Sequence, residues 1–390
     1  MQSSPTVGSG ITELRHAIAA AREVAGRTSP NPPVGAVVVR DGIVVGTGAT
    51  QPPGGPHAEV VALRAAGAAA HGAELFVTLE PCTFHGRTPP CTDAIIAAGI
   101  RRVSYVASDS DPRIGAGAAA VLGAAGIIVH RLDDVDGSVA ALLAPFRCRV
   151  ATGRPLVTHK YAMTLDGRIA TATGSSRWIS GAASRRRVHE LRDRVDAIIV
   201  GVGTVLGDNP ELTTRLDSHW RPVRHPLRVV LDSHGRMPLD ARVLDPALPG
   251  STIVATVDAP AERAAALQAR GATVVTLPGD GAGRVDVAAM LQHLGRMGAN
   301  HVLLEGGAEV AGAFHDAGLI DEVHAYIAPK TVAGAAARGP VGGAGVMLMA
   351  DARHYDVQHV ERIGADVLIV AHAASACWWH KEGCDVHRDR

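Results

Sequence analysis

Apolar residues recur along this chain in two rhythms. In ITELRHAIAAAREVAG (11–26) they return every three to four positions, which predicts a helix, and HAEVVALRAAGAAA (57–70) predicts another. GAVVVRDGIVVGTG (35–48) predicts two strands across an Asp-Gly turn, ELFVTLE (74–80) and RVSYVAS (102–108) are short strands, CTDAIIAAGI is a helix, and VLGAAGIIVHRL is a helix end followed by a strand. Alternating elements of this length mean a sheet covered by helices. RCRVATGRP (147–155) reads as a hinge before a second series. There the strands are 156–162, 196–201, 227–232, 251–257, 272–277, 301–306, 322–328 and 366–372, and the helices 184–194, 259–270 and 308–318. The hinge suggests two separate pockets, with release of any intermediate into solvent.

Two domains also suit 390 residues, of which 47% are hydrophobic. Lys plus Arg and Asp plus Glu balance at 38 each, so a nucleic-acid partner is not expected. Lysine occurs only at 160, 330 and 381, so small anions would meet guanidinium forks. No run of 18 apolar residues predicts a membrane span, and the first twenty residues have neither the basic start nor the apolar stretch of a signal peptide. Five cysteines, an odd number, fit a reducing cytoplasmic setting better than a disulfide framework.

Chemistry concentrates in HAE (57–59) and PCTFHGRTPPC (81–91). His57, Cys82 and Cys91 supply one imidazole and two thiolates, which suits a zinc ion with its fourth position open to water. Both cysteines are expected at helix starts, where the backbone field favours a thiolate. Glu59, in the first turn of a helix, is placed to move protons beside the metal. This is the His-x-Glu…Pro-Cys…Cys arrangement of zinc nucleobase deaminases, with a longer gap between the cysteines. A structural zinc is the competing reading, with His85 as its fourth ligand; otherwise His85 is a pocket group. Asn31, in TSPNPPVG, can offer a donor and an acceptor to a heterocycle edge, or can form a turn between prolines. Arg87 and Thr88 could hold a sugar or phosphate. In LLEGGAEVAGAF (303–314), Gly306 and Gly307 end a strand and open a helix, for phosphate binding or for packing alike.

The chain closely resembles the bifunctional riboflavin-biosynthesis deaminase–reductase family, on TSPNPPVG, GGPHAEVVAL and TLEPCTFHGRTPPC in its first half. KYAMTLDGRIA, SSRWISG, VHELR, DAIIVGVGTVLGDNPELTTR, PLRVVLDS and LLEGGAEVAGAF carry the resemblance in its second. It implies a cytidine-deaminase-like three-layer α/β/α domain over 1–148, a dihydrofolate-reductase-like α/β domain over 149–373, and a poorly ordered tail over 374–390. The implied first reaction removes the 2-amino group of 2,5-diamino-6-(5-phosphoribosylamino)pyrimidin-4(3H)-one hydrolytically, with Zn2+ bound and Glu59 relaying protons. The second is NADPH-dependent reduction of 5-amino-6-(5-phosphoribosylamino)uracil to its ribityl form. NADPH contacts are implied at Ala162, Trp178, Thr204, Asp208 and the run Gly307, Ala308, Glu309, Val310, Ala311, Gly312 and Ala313. Substrate contacts are implied at Ser176, Arg192, Leu212, Arg215 and Glu305, and Lys160 and Asp166 are placed near the reacting sugar.

Several of these have plainer alternatives. Asp166 could serve the turn before Gly167, Trp178 could be core, and Arg192 could belong to a solvated basic face. The chain departs from the family pattern at Thr50 (histidine in many relatives), at Ala36 (often cysteine) and at DSDPRIGAG (109–117), where Asp-Pro-Asn-Pro-x-Val-x-Gly is usual. A deaminase-only relative, or a paralogue acting on another phosphoribosylated pyrimidine, therefore stays open. Expected partners are small phosphoribosylaminopyrimidines and a second copy in a homo-oligomer, a dimer being favoured, with neither nucleic acid nor membrane.

Overall fold

A computed structural model describes residues 10–86, 88–111, 113, 117–217 and 221–379. The chain divides into two compact units, 1–152 with 377–390, and 153–376.

The first unit has a five-stranded sheet in the order β2-β1-β3-β4-β5. Its strands are β1 (Gly35–Arg40), β2 (Ile43–Ala49), β3 (Glu74–Leu79), β4 (Arg102–Ala107) and β5 (Ile128–Arg131). β1 runs antiparallel to β2 and β3, and β3, β4 and β5 run parallel. Its helices are α1 (Ile11–Val24), α2 (Ala58–Ala66), α3 (Cys91–Ala97), α4 (Gly117–Ala124) and α5 (Ser138–Thr152). β1 alternates between two cores. Ala36 and Val38 pack with Ala58, Ala62 and Leu63 of α2, while Val37 and Val39 pack with Ala17 of α1 and Phe76. Helices thus cover both faces, giving three layers.

Gly35 is where α1 and β1 meet backbone to backbone. A Cβ there would lie 1.9 Å from the Ala17 carbonyl oxygen. Gly35→Ala should therefore destabilise the first unit by about 3 kcal/mol or more, the upper range for overpacking against backbone that cannot give way. Urea midpoints followed through the activity of each unit check this, since only the first should shift.

The second unit has nine strands in the order β10-β9-β8-β7-β11-β6-β12-β14-β13. They are β6 (Leu156–Thr164), β7 (Ala197–Gly201), β8 (Leu227–Leu231), β9 (Thr252–Thr256), β10 (Thr273–Thr276), β11 (His301–Leu304), β12 (Glu322–Ala328), β13 (Tyr355–Ile363) and β14 (Asp366–Ala373). Only the β12–β14 and β14–β13 pairs are antiparallel. Helices α6 (Ala182–Arg192), α7 (Val202–Asp208), α8 (Ala261–Ala269), α9 (Val287–Arg296) and α10 (Ala308–Asp316) complete it. Val157, Ile199, Val302 and Leu304 of the sheet centre pack with Met290 and Leu294 of α9 and Phe314 of α10.

Two sequence expectations change. The segment read as a hinge from 147 is helical to Thr152, with Arg147 and Cys148 buried, and the helix gives way to Gly153 at φ 75°. Pro145 inside α5 and two arginines after it hid the helix from periodicity. The tail is not wholly unstructured either. Cys377–Trp379 form a 3-10 turn of the first unit against α5, with Trp378 buried, because its large apolar ring finds cover there. Residues 380–390, including Cys384, lie outside the described residues.

His159 on β6 is 1% exposed, lies against the tilted Tyr161 ring at 5.0 Å, and its Nε2 has no hydrogen-bond partner. Burial pushes its pKa down to about 4. Because the unfolded chain takes up this proton near pH 6.5, the stability tied to neutral His159 is full above that pH. It is lost as pH falls toward 4, at about 1.4 kcal/mol per pH unit. Urea unfolding of the second unit at pH 7 and pH 5 should show this loss in the wild type and a smaller one in His159→Gln.

Candidate active sites

Each unit gathers one polar cluster. In the first, His57 is the N-cap of α2, Cys82 follows β3, and Cys91 opens α3. Cys82 is in a loop rather than at a helix start, contrary to the sequence expectation. Its thiolate field comes instead from the Cys91 backbone N–H, which donates to Cys82 Sγ at 3.3 Å. His57 Nδ1 lies 3.6 Å from Cys82 Sγ and 3.3 Å from Cys91 Sγ, and the three ligand atoms fall within 4.8 Å of one another. A tetrahedral zinc with Zn–S near 2.3 Å and Zn–N near 2.0 Å needs S···N edges of roughly 3.5 Å, so the triad fits the ion. The Cys91 thiol hydrogen-bonded to Cys82, with His57 beside it, lowers the Cys82 pKa to about 4. The hydrogen bond to Cys82, with burial, pushes the Cys91 thiol up. A dication would hold both as thiolates.

Glu59 is 4% exposed in the first turn of α2. Burial, with the Cys82 charge adding to it, raises its carboxyl pKa to about 7. A buried carboxyl so raised is suited to accept a proton and return it. A cavity of about 90 Å³ opens onto His57, Glu59 and Cys82, and Asn31 lines it. His85 is exposed and does not line it, and Arg87 lies outside the described residues. Thr50 lines it too, but its hydroxyl is turned to the Val34 backbone, accepting from the N–H at 3.1 Å.

Glu80, Asp109, Asp111 and Arg113 also line the cavity; from sequence, the 109–117 stretch stands out only as a departure from the family pattern, with Asp111 in place of asparagine. Glu80 accepts from the Ala118 N–H at 2.8 Å, and burial raises the Asp109 pKa to about 6. Glu80 lay unremarked within TLEPCTFHGRTPPC.

In the second unit Arg192 and Glu305 form a buried fork, Nε to Oε1 at 2.9 Å and Nη2 to Oε2 at 2.6 Å, with side chains 11% and 10% exposed. Nη1 donates to the Thr213 carbonyl. Arg192 is therefore not part of a solvated face. Lys160 is electrostatically coupled to this pair, and burial lowers its pKa. His189 also borders the group and was missed from sequence. Its Nδ1 accepts the Arg215 N–H at 3.2 Å, and burial together with Arg192 and Arg215 pushes its pKa down to about 4. The Arg215 side chain turns outward to Glu211. Leu212 is buried, at a φ of 54°.

A second group lies around α7 and the start of α10. Gly307 caps α10, and a Cβ on it would face Thr204 Oγ1 at 3.9 Å. Gly307 through Val310 reach the surface in part. Ala311 and Gly312 are buried, a Cβ at Gly312 meeting the Gly343 nitrogen at 2.4 Å, and Ala313 is half-buried. Ser176 Oγ is 3.5 Å from Asp208 Oδ1, and Arg177 donates to the Asp208 carbonyl. Trp178 is 63% exposed rather than core, with the Arg185 guanidinium 4.5 Å over its ring. Ala162 is half-buried on β6 opposite Tyr326. Asp166 is exposed and accepts from Thr164 and from the N–H groups of Val332 and Ala333, so its carboxylate ties down a loop.

A cysteine–histidine metal triad beside a buried glutamate, joined to a second α/β unit with its own polar cluster, defines a zinc-dependent deaminase coupled to a reductase-like domain. Comparison with known proteins agrees. Residues 11–107 match the cytidine and deoxycytidylate deaminase zinc-binding region, and residues 155–369 match the RibD C-terminal domain. The riboflavin biosynthesis protein RibD of Actinobacillus pleuropneumoniae is 39% identical over 91% of this chain and 93% of its own. That of Corynebacterium ammoniagenes is 44% identical over 81% and 85%. The solved RibD of Acinetobacter baumannii superposes with TM-score 0.82 at 34% identity, over 93% of this chain and 98% of that one. The chain belongs to the RibD family, the bifunctional deaminase–reductases of riboflavin biosynthesis. It is an enzyme with both activities, acting on phosphoribosylaminopyrimidines.

Proposed function

We propose that the first unit deaminates 2,5-diamino-6-(5-phosphoribosylamino)pyrimidin-4(3H)-one and that the second reduces the resulting 5-amino-6-(5-phosphoribosylamino)uracil with NADPH. The observation that carries the first half is Glu59, buried at the floor of a cavity shared with His57 and Cys82. His57, Cys82 and Cys91 would hold zinc, which when bound supplies a water acidic enough to lose a proton near neutral pH. Glu59 takes that proton, passes it to a ring nitrogen and then to the departing ammonia. Asn31 orients the heterocycle edge through its amide.

In the second unit NADPH supplies the hydride when bound. Thr204, Asp208, Ala162, Trp178 and the start of α10 from Gly307 would hold it, with the helix start facing a phosphate. Arg192, Arg215, Leu212, Ser176 and Glu305 would position the sugar phosphate, and Lys160 sits where the ribose is opened. Positioning of this kind can supply much of the rate of a hydride transfer.

We place the enzyme in the cytoplasm as a homodimer. Apolar surface at Met347, Leu348 and Met349, exposed 94%, 65% and 85%, is what a second copy would cover. Among the described residues no helix is long and apolar enough to cross a membrane.

The test is stoichiometry on one purified protein. Supplied with the diaminopyrimidine and NADPH, it should release ammonia and oxidise NADPH one to one, with ammonia first. Ammonia without NADPH loss would leave only a deaminase. Neither would reject the substrate assignment.

A further inference from the structure

The cavity at the metal triad is acidic. Glu59, Glu80, Asp109 and Asp111 line it, and Arg113 is the one arginine or lysine among its described lining residues. Carboxylates suit a ring that carries amino groups, but they repel a phosphate. A phosphoribosylated substrate that puts its ring on the floor must send its phosphate out through the mouth.

Arg113 stands at that mouth with its side chain 63% exposed. Its guanidinium lies 4.3 Å over the Phe84 ring. Asp111 grips one edge of it, Nε to Oδ1 at 2.9 Å and Nη2 to Oδ2 at 2.5 Å. Asp111 is itself held, its N–H donating to Asp109 Oδ1 at 2.9 Å. The stack and the fork fix the plane of the guanidinium in advance, which lowers the entropy lost on binding an anion. The hydrogens of Nη1, on the edge away from Asp111, remain for a ligand.

We propose that Arg113 binds the substrate phosphate at the deaminase site, with Asp111 and Phe84 positioning it. This rests on the reading of the first unit given above. Asp111, two residues earlier in the same stretch, gives the guanidinium a charged partner.

The experiment measures ammonia release by the full-length, zinc-loaded chain from two compounds, the diaminopyrimidine substrate and the same molecule without its phosphate. Arg113→Ala should raise KM for the phosphorylated compound about tenfold, the scale of one charge-assisted hydrogen bond, with kcat within about twofold. KM for the dephosphorylated compound should not move, and Arg113→Lys should recover part of the loss. NADPH oxidation with the deaminated intermediate should be unchanged in both variants. An unchanged KM for the phosphorylated compound, or an equal rise for both, would overturn the proposal and leave the deaminase reading standing. No ammonia from either compound with the wild type would overturn that reading and the proposal with it.

Discussion

Glu59→Gln lowers ammonia release by about two to four orders of magnitude, the usual contribution of a positioned acid–base group. Glutamine keeps the length and the place of the side chain in α2 but can neither take a proton from water nor return it. His57, Cys82 and Cys91 are untouched, so zinc content should match the wild type. The second unit has its own core and its own polar cluster, so NADPH oxidation with the deaminated intermediate should continue at the wild-type rate. Parallel assays with the diaminopyrimidine substrate and with the deaminated intermediate check this. Loss of both activities together would mean that Glu59 supports the whole fold, and loss of neither that another group moves the proton.

Arg192→Ala is the second large effect, and it falls on the other unit. Removing the guanidinium leaves the Glu305 carboxylate enclosed without its bidentate partner. Breaking one side of a buried ion pair costs about 3–5 kcal/mol. Arg192 and Lys160 hold the Glu305 pKa down to about 2, against the burial that would raise it. The sign of the pH dependence follows. The stability tied to this carboxylate is present above the unfolded value near 4.5 and is lost as pH falls through about 2. In the variant burial is no longer opposed by Arg192, so protonating Glu305 relieves its uncompensated charge and acidification should no longer cost this stability. A urea midpoint for the NADPH-dependent activity measures the change. Replacing both partners by methionine should restore much of the stability but not the turnover. Recovery of turnover as well would show that the pair is structural only.

The zinc set was legible because metal chemistry narrows the choice of residue and the order of elements narrows the spacing: His57 before a helix, Cys82 after a strand. The acidic wall was not legible. Glu80, Asp109 and Asp111 converge only once β3 and β4 lie side by side, and nothing in a linear pattern reports that. Arg192 was ambiguous for a similar reason. Its helix is rich in arginine, yet Ser184, Val188 and Arg192, four apart, turn inward together, with Ser184 bonded to Asp366 and Val188 packed on Tyr326.

Elements were missed where the local signal was weak or went unused. Both faces of β13 are largely exposed, so its sequence shows no alternation, and only pairing with β14 makes it a strand. α9 carried a signal in Asp286, whose carboxylate caps the Ala288 and Ala289 N–H groups, and in Met290, Leu291 and Leu294. Among the reductase contacts, the family resemblance named positions that this fold then sorts by exposure, bringing Gly307 to the surface and burying Ala311 and Gly312.

The measurement that bears most directly on the account is zinc content against ammonia release on the same preparations of wild type and Cys91→Ser. Removing one of three ligands from a triad whose atoms lie within 4.8 Å should strip the metal and abolish deamination, while NADPH oxidation with the deaminated intermediate persists. Wild-type activity should rise in proportion to zinc bound. Full ammonia release from protein freed of zinc, or from Cys91→Ser without metal, would contradict it.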